Sequence, residues 1–130
     1  RAPSRVAAPK TAGHRRIETA EGFVVLAGRN SRQNAIVLQR AAPTDLWFHA
    51  RGIPGGHVVL VTGGRPVPQE LLQHAAALAA YYSAARDEPS VPVDVTERRH
   101  VRPIRGAGPG QVTYKEEQTL VVVPVDWQQE

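Results

Sequence analysis

The sequence predicts an α+β domain: a mostly antiparallel sheet with two packed helices, in the order β-α-β-β-α-β-β-β. Two observations carry this. Short Val- and aromatic-rich runs are bounded by Gly or Pro, which is strand-and-turn punctuation. Two longer segments instead repeat their apolar residues at helical spacing. A chain of 130 residues fits one domain, and its 42% hydrophobic and 22% charged residues suit a packed core.

The elements follow in order. Residues 1–16, RAPSRVAAPKTAGHRR, have no hydrophobic period and read as a linker or flexible arm. The ordered domain is expected over residues 17–124, with a tail over 125–130. Residues 22–28, GFVVLAG, form a buried strand. Asn30 followed by Gln33 is a variant capping box opening a helix over 31–41, which would bury Ala35, Leu38 and Ala42 before Pro43 stops it. Residues 45–50, DLWFHA, make a strand with Leu46, Phe48 and Ala50 on one face and Asp45, Trp47 and His49 on the other. A turn over 52–56 leads to a strand over 57–62. The clearest helix spans 68–86, with Leu71, Ala75, Leu78, Ala79 and Tyr82 on its buried side. A strand over 91–97, a basic segment over 98–105 and a glycine loop over 106–110 come next. Residues 112–115 and 119–123 are expected to close the domain as a hairpin.

Composition narrows the function. Without cysteine there are no disulfides, thiolate metal sites or cysteine nucleophiles, and a reducing, cytoplasmic setting is expected. No run approaches eighteen apolar residues and no charged-then-apolar leader is present, so no membrane partner is expected. The chain begins at Arg1 and contains no methionine, and a piece of a longer protein is expected. The formal charge of +4 is unevenly spread: fifteen basic residues stand against eight acidic ones up to Gly110, then one against four. Fourteen of the sixteen basic residues are arginine, whose planar fork matches phosphate and stacks on bases. A basic face for an anionic polymer follows, with a composition bias as the competing explanation.

Three constellations can carry chemistry. At the first helix start, Arg29, Asn30, Arg32, Gln33 and Asn34 offer either an anion site at free N–H groups or ordinary capping with solvated arginines. On the second strand, Asp45, Trp47 and His49 continue through Arg51, Gly55 and His57. Here an exposed indole would be a stacking platform for an unpaired base; the other reading makes Trp47 core with Asp45 and His49 as buried partners. The segment ERRHVRPIR places Arg98, Arg99, Arg102 and Arg105 before a glycine loop, which favours phosphate contact. No catalytic residue, metal or cofactor is assigned. His49 and His57 with Asp45 match no standard zinc spacing, and Ser31, Ser83 and Ser90 lack a nucleophile-elbow context.

Taken in series, GFVVLAGRNSRQNAIVL, DLWFHARGIPGGHVVLV, AAALAAYYSAAR, GAGPGQVTY and TLVVVP resemble the NFACT-R domain, the RNA-binding region of the NFACT proteins (the RqcH, NEMF and fibronectin-binding protein A-like family). The likeness covers about residues 17–124. It departs at Gly56, where the family usually has Ser in Pro-Gly-Ser-His, so a hydroxyl able to bind phosphate or cap the turn is missing. The resemblance implies a non-enzymatic module for tRNA or ribosomal RNA. Its parent factor would act on the large ribosomal subunit in ribosome-associated quality control, where stalled chains gain a carboxy-terminal tail without mRNA. A protein-interaction or adhesion module is the alternative. A metal-dependent nucleic-acid enzyme working through Asp45, His49 and His57 is a third reading.

Overall fold

The computed structural model describes residues 11–128. In chain order it contains β1 (Arg15–Glu18), β2 (Val24–Ala27), α1 (Ser31–Arg40), β3 (Leu46–Ala50), β4 (Val58–Val61), α2 (Gln69–Tyr81) and β5 (Val91–Glu97). A 3-10 turn (Arg98–His100), β6 (Val101–Pro103), β7 (Val112–Tyr114) and β8 (Gln118–Val122) follow. The α+β class and element order expected from the sequence hold, with β1 and β6 as short additional strands. Six strands form one antiparallel sheet in the order β1-β2-β4-β3-β5-β8, and β6 pairs with β7 in a separate two-stranded sheet.

Alternation along the strands sends apolar side chains to both faces, so both must be covered. On one face Val25, Phe48, Val58, Leu60, Val93 and their neighbours pack against α2, whose run from Ala75 to Ala80 is buried. Alanine leaves no side-chain bulk between helix and sheet, which explains that close approach. On the other face Leu26, Trp47 and Val59 meet Val37 and Leu38 of α1 and Val101 of β6.

Three local expectations are corrected. α1 turns Asn34, Val37 and Leu38 inward, while Ala35 is half-buried and Ala42 exposed, because Asn34 is drawn in to bond the turn before β4. α2 ends at Tyr81 instead of reaching Arg86. The Tyr82 carbonyl there accepts from Gly56 N–H, and Ser83 bridges to Gly55, so the chain leaves helical geometry to meet the turn. β7 and β8 do not form a hairpin with each other. β8 adds to β5 and turns Val122 toward α2, whereas β7 pairs with β6 over the opposite face. Glu116, at φ 60°, lets the chain pass from one face to the other.

The expected arm falls largely outside the described residues, which begin at position 11, but Arg15 and Arg16 already lie in β1. Residues 125–127, expected as tail, lie against α2: Val125 N–H donates to the Ala77 carbonyl, and the Trp127 ring stacks on His74. Arg15 holds this segment through Asp126 at 2.6 Å and the Trp127 carbonyl at 3.0 Å. No helix among the described residues is long and apolar enough to cross a membrane.

Candidate nucleic-acid interface

Four pieces of backbone meet at one end of the sheet: the α1 N-terminus, the β3–β4 turn, the chain after α2 and the β6–β7 hairpin loop. Hydrogen bonds fix their meeting. Asn34 Oδ1 accepts from His57 N–H at 2.9 Å, and its amide nitrogen donates to the Gly55 carbonyl at 3.4 Å. Gly56 N–H donates to the Tyr82 carbonyl, and Ala84 N–H to the Pro54 carbonyl. Gly56 carries a packing role here: a Cβ on it would sit 2.0 Å from the Gly28 carbonyl oxygen, so the missing side chain lets β2 close onto the turn. Gly110, at φ 82°, lays the hairpin loop against Ser31 and Asn34.

Between these pieces lies a cavity of about 770 Å³, in the size range of ligand sites. Arg29, Asn30 and Asn34 line one side, residues 52–57 another, Tyr82 to Ala84 a third, and Gly110 to Val112 with Tyr114 the roof. Trp47, His49 and His57 form the floor. The Trp47 and His49 rings stack at 5.6 Å and 3°, with His57 edge-on to both and Tyr114 tilted 4.7 Å from Trp47.

The structure sorts the expected site residues. Trp47 is completely buried, which corrects the exposed stacking platform: α1 and the β6–β7 hairpin cover the face that the sequence reading left open. Asp45 is buried too, outside the cavity lining, and its two oxygens accept from Thr62 N–H at 3.0 Å and Ala42 N–H at 2.7 Å. This parts it from His49 and His57. Arg51 turns to Asp94 at 2.9 Å and Thr119 at 3.2 Å. Asn30 and Gln33 act as caps: Asn30 Oδ1 accepts from Gln33 N–H, and Gln33 Oε1 accepts from Arg29 N–H. Arg29 is exposed on the rim and donates to the Gly13 carbonyl at 2.9 Å.

The basic segment divides. Arg98 donates to the Leu38 and Val101 carbonyls, so its charge sits at the C-terminal end of α1, where the helix dipole favours it. Burial and the neighbouring Arg102 lower its pKa. Arg99 pairs with Glu97. The side chains of Arg102 and Arg105, with that of Arg32 on α1, are exposed and make no hydrogen bond or ion pair among the described residues.

Sequence reasoning missed Tyr82, Tyr114 and Asp94. Tyr114 donates to Asp94 at 2.5 Å and Thr96 donates to the Lys115 carbonyl at 2.8 Å, which together pin the hairpin to β5. Burial raises the Asp94 pKa, but its bonds from Tyr114, Thr119 and Arg51 outweigh that and hold it lowered; burial and Asp94 raise that of Tyr114. The Gly-rich loop just before Tyr114 was the available signal, since it marks a turn that returns the chain over the sheet.

The imidazoles are neutral. Burial, then the nearby His49 ring, pushes the His57 pKa down to about 3, and burial lowers that of His49. The unfolded chain takes the His57 proton near 6.5, the folded one only near 3. The stability contribution is therefore complete above about pH 6.5 and is lost as pH falls toward 3, by up to about 1.4 kcal/mol per pH unit. Urea unfolding at pH 7.5 and pH 5 should show this loss, and the His57→Gln variant should flatten it.

Residues 14–116 match the model of the NFACT protein RNA binding domain. The chain is 45% identical over 108 residues to the Rqc2 homolog RqcH of Bacillus subtilis, covering 82% of this chain and 19% of that protein. It is 32% identical over 72 residues to the human ribosome quality control complex subunit NEMF, covering 53% and 7%. Among solved structures, the C-terminal part of the fibronectin/fibrinogen-binding protein from Streptococcus suis superposes with a TM-score of 0.80 at 38% identity, covering 91% of this chain and 48% of that one. The chain thus spans about a fifth of the bacterial relative's length.

Proposed function

The chain belongs to the NFACT RNA-binding domain family, and from that premise we propose that it is the RNA-binding module of a ribosome-associated quality control factor. The observation that carries this is a ligand-sized cavity lined by Arg29, with further exposed arginines without acidic partners on two of the elements that border it. Arg29 and Arg32 stand at the start of α1, and Arg102 and Arg105 on the hairpin whose loop helps to roof the cavity. Each offers a fork of donors to phosphate. The fixed turn and the neutral imidazole floor offer shape and polarity beside that charge.

In this reading the partner is structured RNA, tRNA or large-subunit ribosomal RNA, and the setting is the cytoplasm, where ribosomes work. The names of the RqcH and NEMF relatives support the quality-control context. The module contributes RNA affinity to a longer factor that supports carboxy-terminal tailing of stalled chains without mRNA. Peptide-bond formation stays with the ribosome, and no catalytic role is assigned to these residues.

The test is a titration of the 130-residue chain with a labelled tRNA. Four arginine–phosphate contacts should weaken binding about a hundredfold between 50 and 200 mM salt, as counterions are released. Affinity that stays flat over that range contradicts the proposal. The name of the Streptococcus suis relative, a fibronectin/fibrinogen-binding protein, favours a second reading, a protein-binding module. Partners that remain bound after nuclease treatment would support that one instead.

A further inference from the structure

A second, smaller hollow adjoins the cavity and shares Arg29, Tyr82 and Ser83 with it. Its remaining wall is Tyr81, Arg86 and Asp126. Arg86 is exposed, lies over the Tyr81 ring at 4.1 Å, and makes no ion pair among the described residues. Its guanidinium is thus held in place by a cation–π contact with its hydrogen-bond donors unused. The Asp126 carboxylate does not compete for it, being taken by Arg15 at 2.6 Å. One hollow is floored by aromatic rings; the other is walled by two arginines.

We propose that the two hollows form one receptor for an unpaired nucleotide of RNA, its base in the larger cavity against the His49 ring and its phosphate between Arg29 and Arg86. This deepens the RNA-binding reading and rests on it. The His49 ring is half-buried and parallel to Trp47, so a base laid on it extends an existing stack. Being neutral, it stacks without the desolvation cost of a charged ring. A base within a helix cannot enter such a cavity, because its edge is paired and its faces are stacked. The receptor therefore selects a bulge, a loop or a strand end.

Two RNAs separate the possibilities: a blunt duplex, and the same duplex with one bulged adenosine. Anisotropy titration of the whole chain should show the bulged RNA binding about tenfold tighter, in keeping with the contribution of one stacked base. Ala84→Leu places bulk at an exposed position of the larger cavity's wall, and Arg86→Ala removes one of the two phosphate donors. Each should cut the preference to under threefold, with a thermal melt confirming that the variant is folded. Equal binding of both RNAs by the parent chain overturns the receptor but leaves the RNA-binding reading standing. A tenfold preference that survives both substitutions also overturns it. No binding of either RNA overturns the RNA-binding reading, and the receptor with it.

Discussion

Replacing Arg32, Arg102 and Arg105 together with alanine should weaken RNA binding on the order of a hundredfold at 100 mM salt and make it markedly less salt-dependent. Each of these side chains is exposed and makes no ion pair among the described residues, so its removal costs the fold little. What is lost is three sets of phosphate contacts. A double-logarithmic plot of affinity against salt should lose about three units of slope, close to one for each contact removed. All RNAs should suffer alike, since phosphate contacts position the strand without reading its bases. Arg98→Ala should behave differently. Arg98 bonds the Leu38 and Val101 carbonyls, so this change should lower the melting temperature and leave the salt slope nearly intact. Measuring slope and melting temperature on both variants separates the two roles. A triple variant with an unchanged slope would remove these three arginines from the binding surface.

Trp47→Ala should cost about 3–5 kcal/mol of stability, the range for deleting a buried aromatic side chain. The indole sits between α1 and the sheet, touching the clusters of Leu26, Val37, Leu38, Val59 and Val101 and packing against three other rings. Removing it opens a void that a β-sheet cannot collapse to fill. Chemical denaturation gives the number directly. Trp47→Phe is the informative companion. It keeps most of the ring and removes an indole N–H that has no partner among the described residues, so it should fold with a much smaller loss. If Trp47 were instead an exposed stacking platform, alanine would weaken RNA binding with almost no effect on stability.

That contrast shows what was legible in the sequence and what was not. Alternation along β3 correctly placed Trp47 and His49 on one face, opposite Phe48 and Ala50. It could not say whether that face was covered, because the cover comes from α1 and from a hairpin 50 residues or more downstream. Proximity in sequence suggests a β7–β8 hairpin, whereas β7 pairs with β6 and brings Tyr114 over Trp47. β6 was hidden for a different reason: its three residues include Arg102 and Pro103, and charge density masked the single buried Val101. The capping pair Asn30 and Gln33 was legible because it depends only on local spacing. Asp45 was singled out for its charge, yet both its oxygens serve backbone N–H groups, one of them seventeen residues away. Charge and residue type can be read from a sequence, whereas whether a charge is already spent on the fold depends on tertiary contacts. Arg51, Arg98 and Arg99 are spent in this way; Arg32, Arg102 and Arg105 are not.

On the proposed function, RNA should meet the end of the sheet where the start of α1, the β3–β4 turn and the β6–β7 hairpin converge. Photocrosslinking of the chain to RNA carrying 4-thiouridine, followed by identification of the joined peptides, tests it most directly. Crosslinks should fall within residues 29–34, 49–57 and 102–112, and should disappear when salt is raised enough to release the RNA. Crosslinks confined to the β1 or β8 edge strands, with none at the cavity, would contradict it.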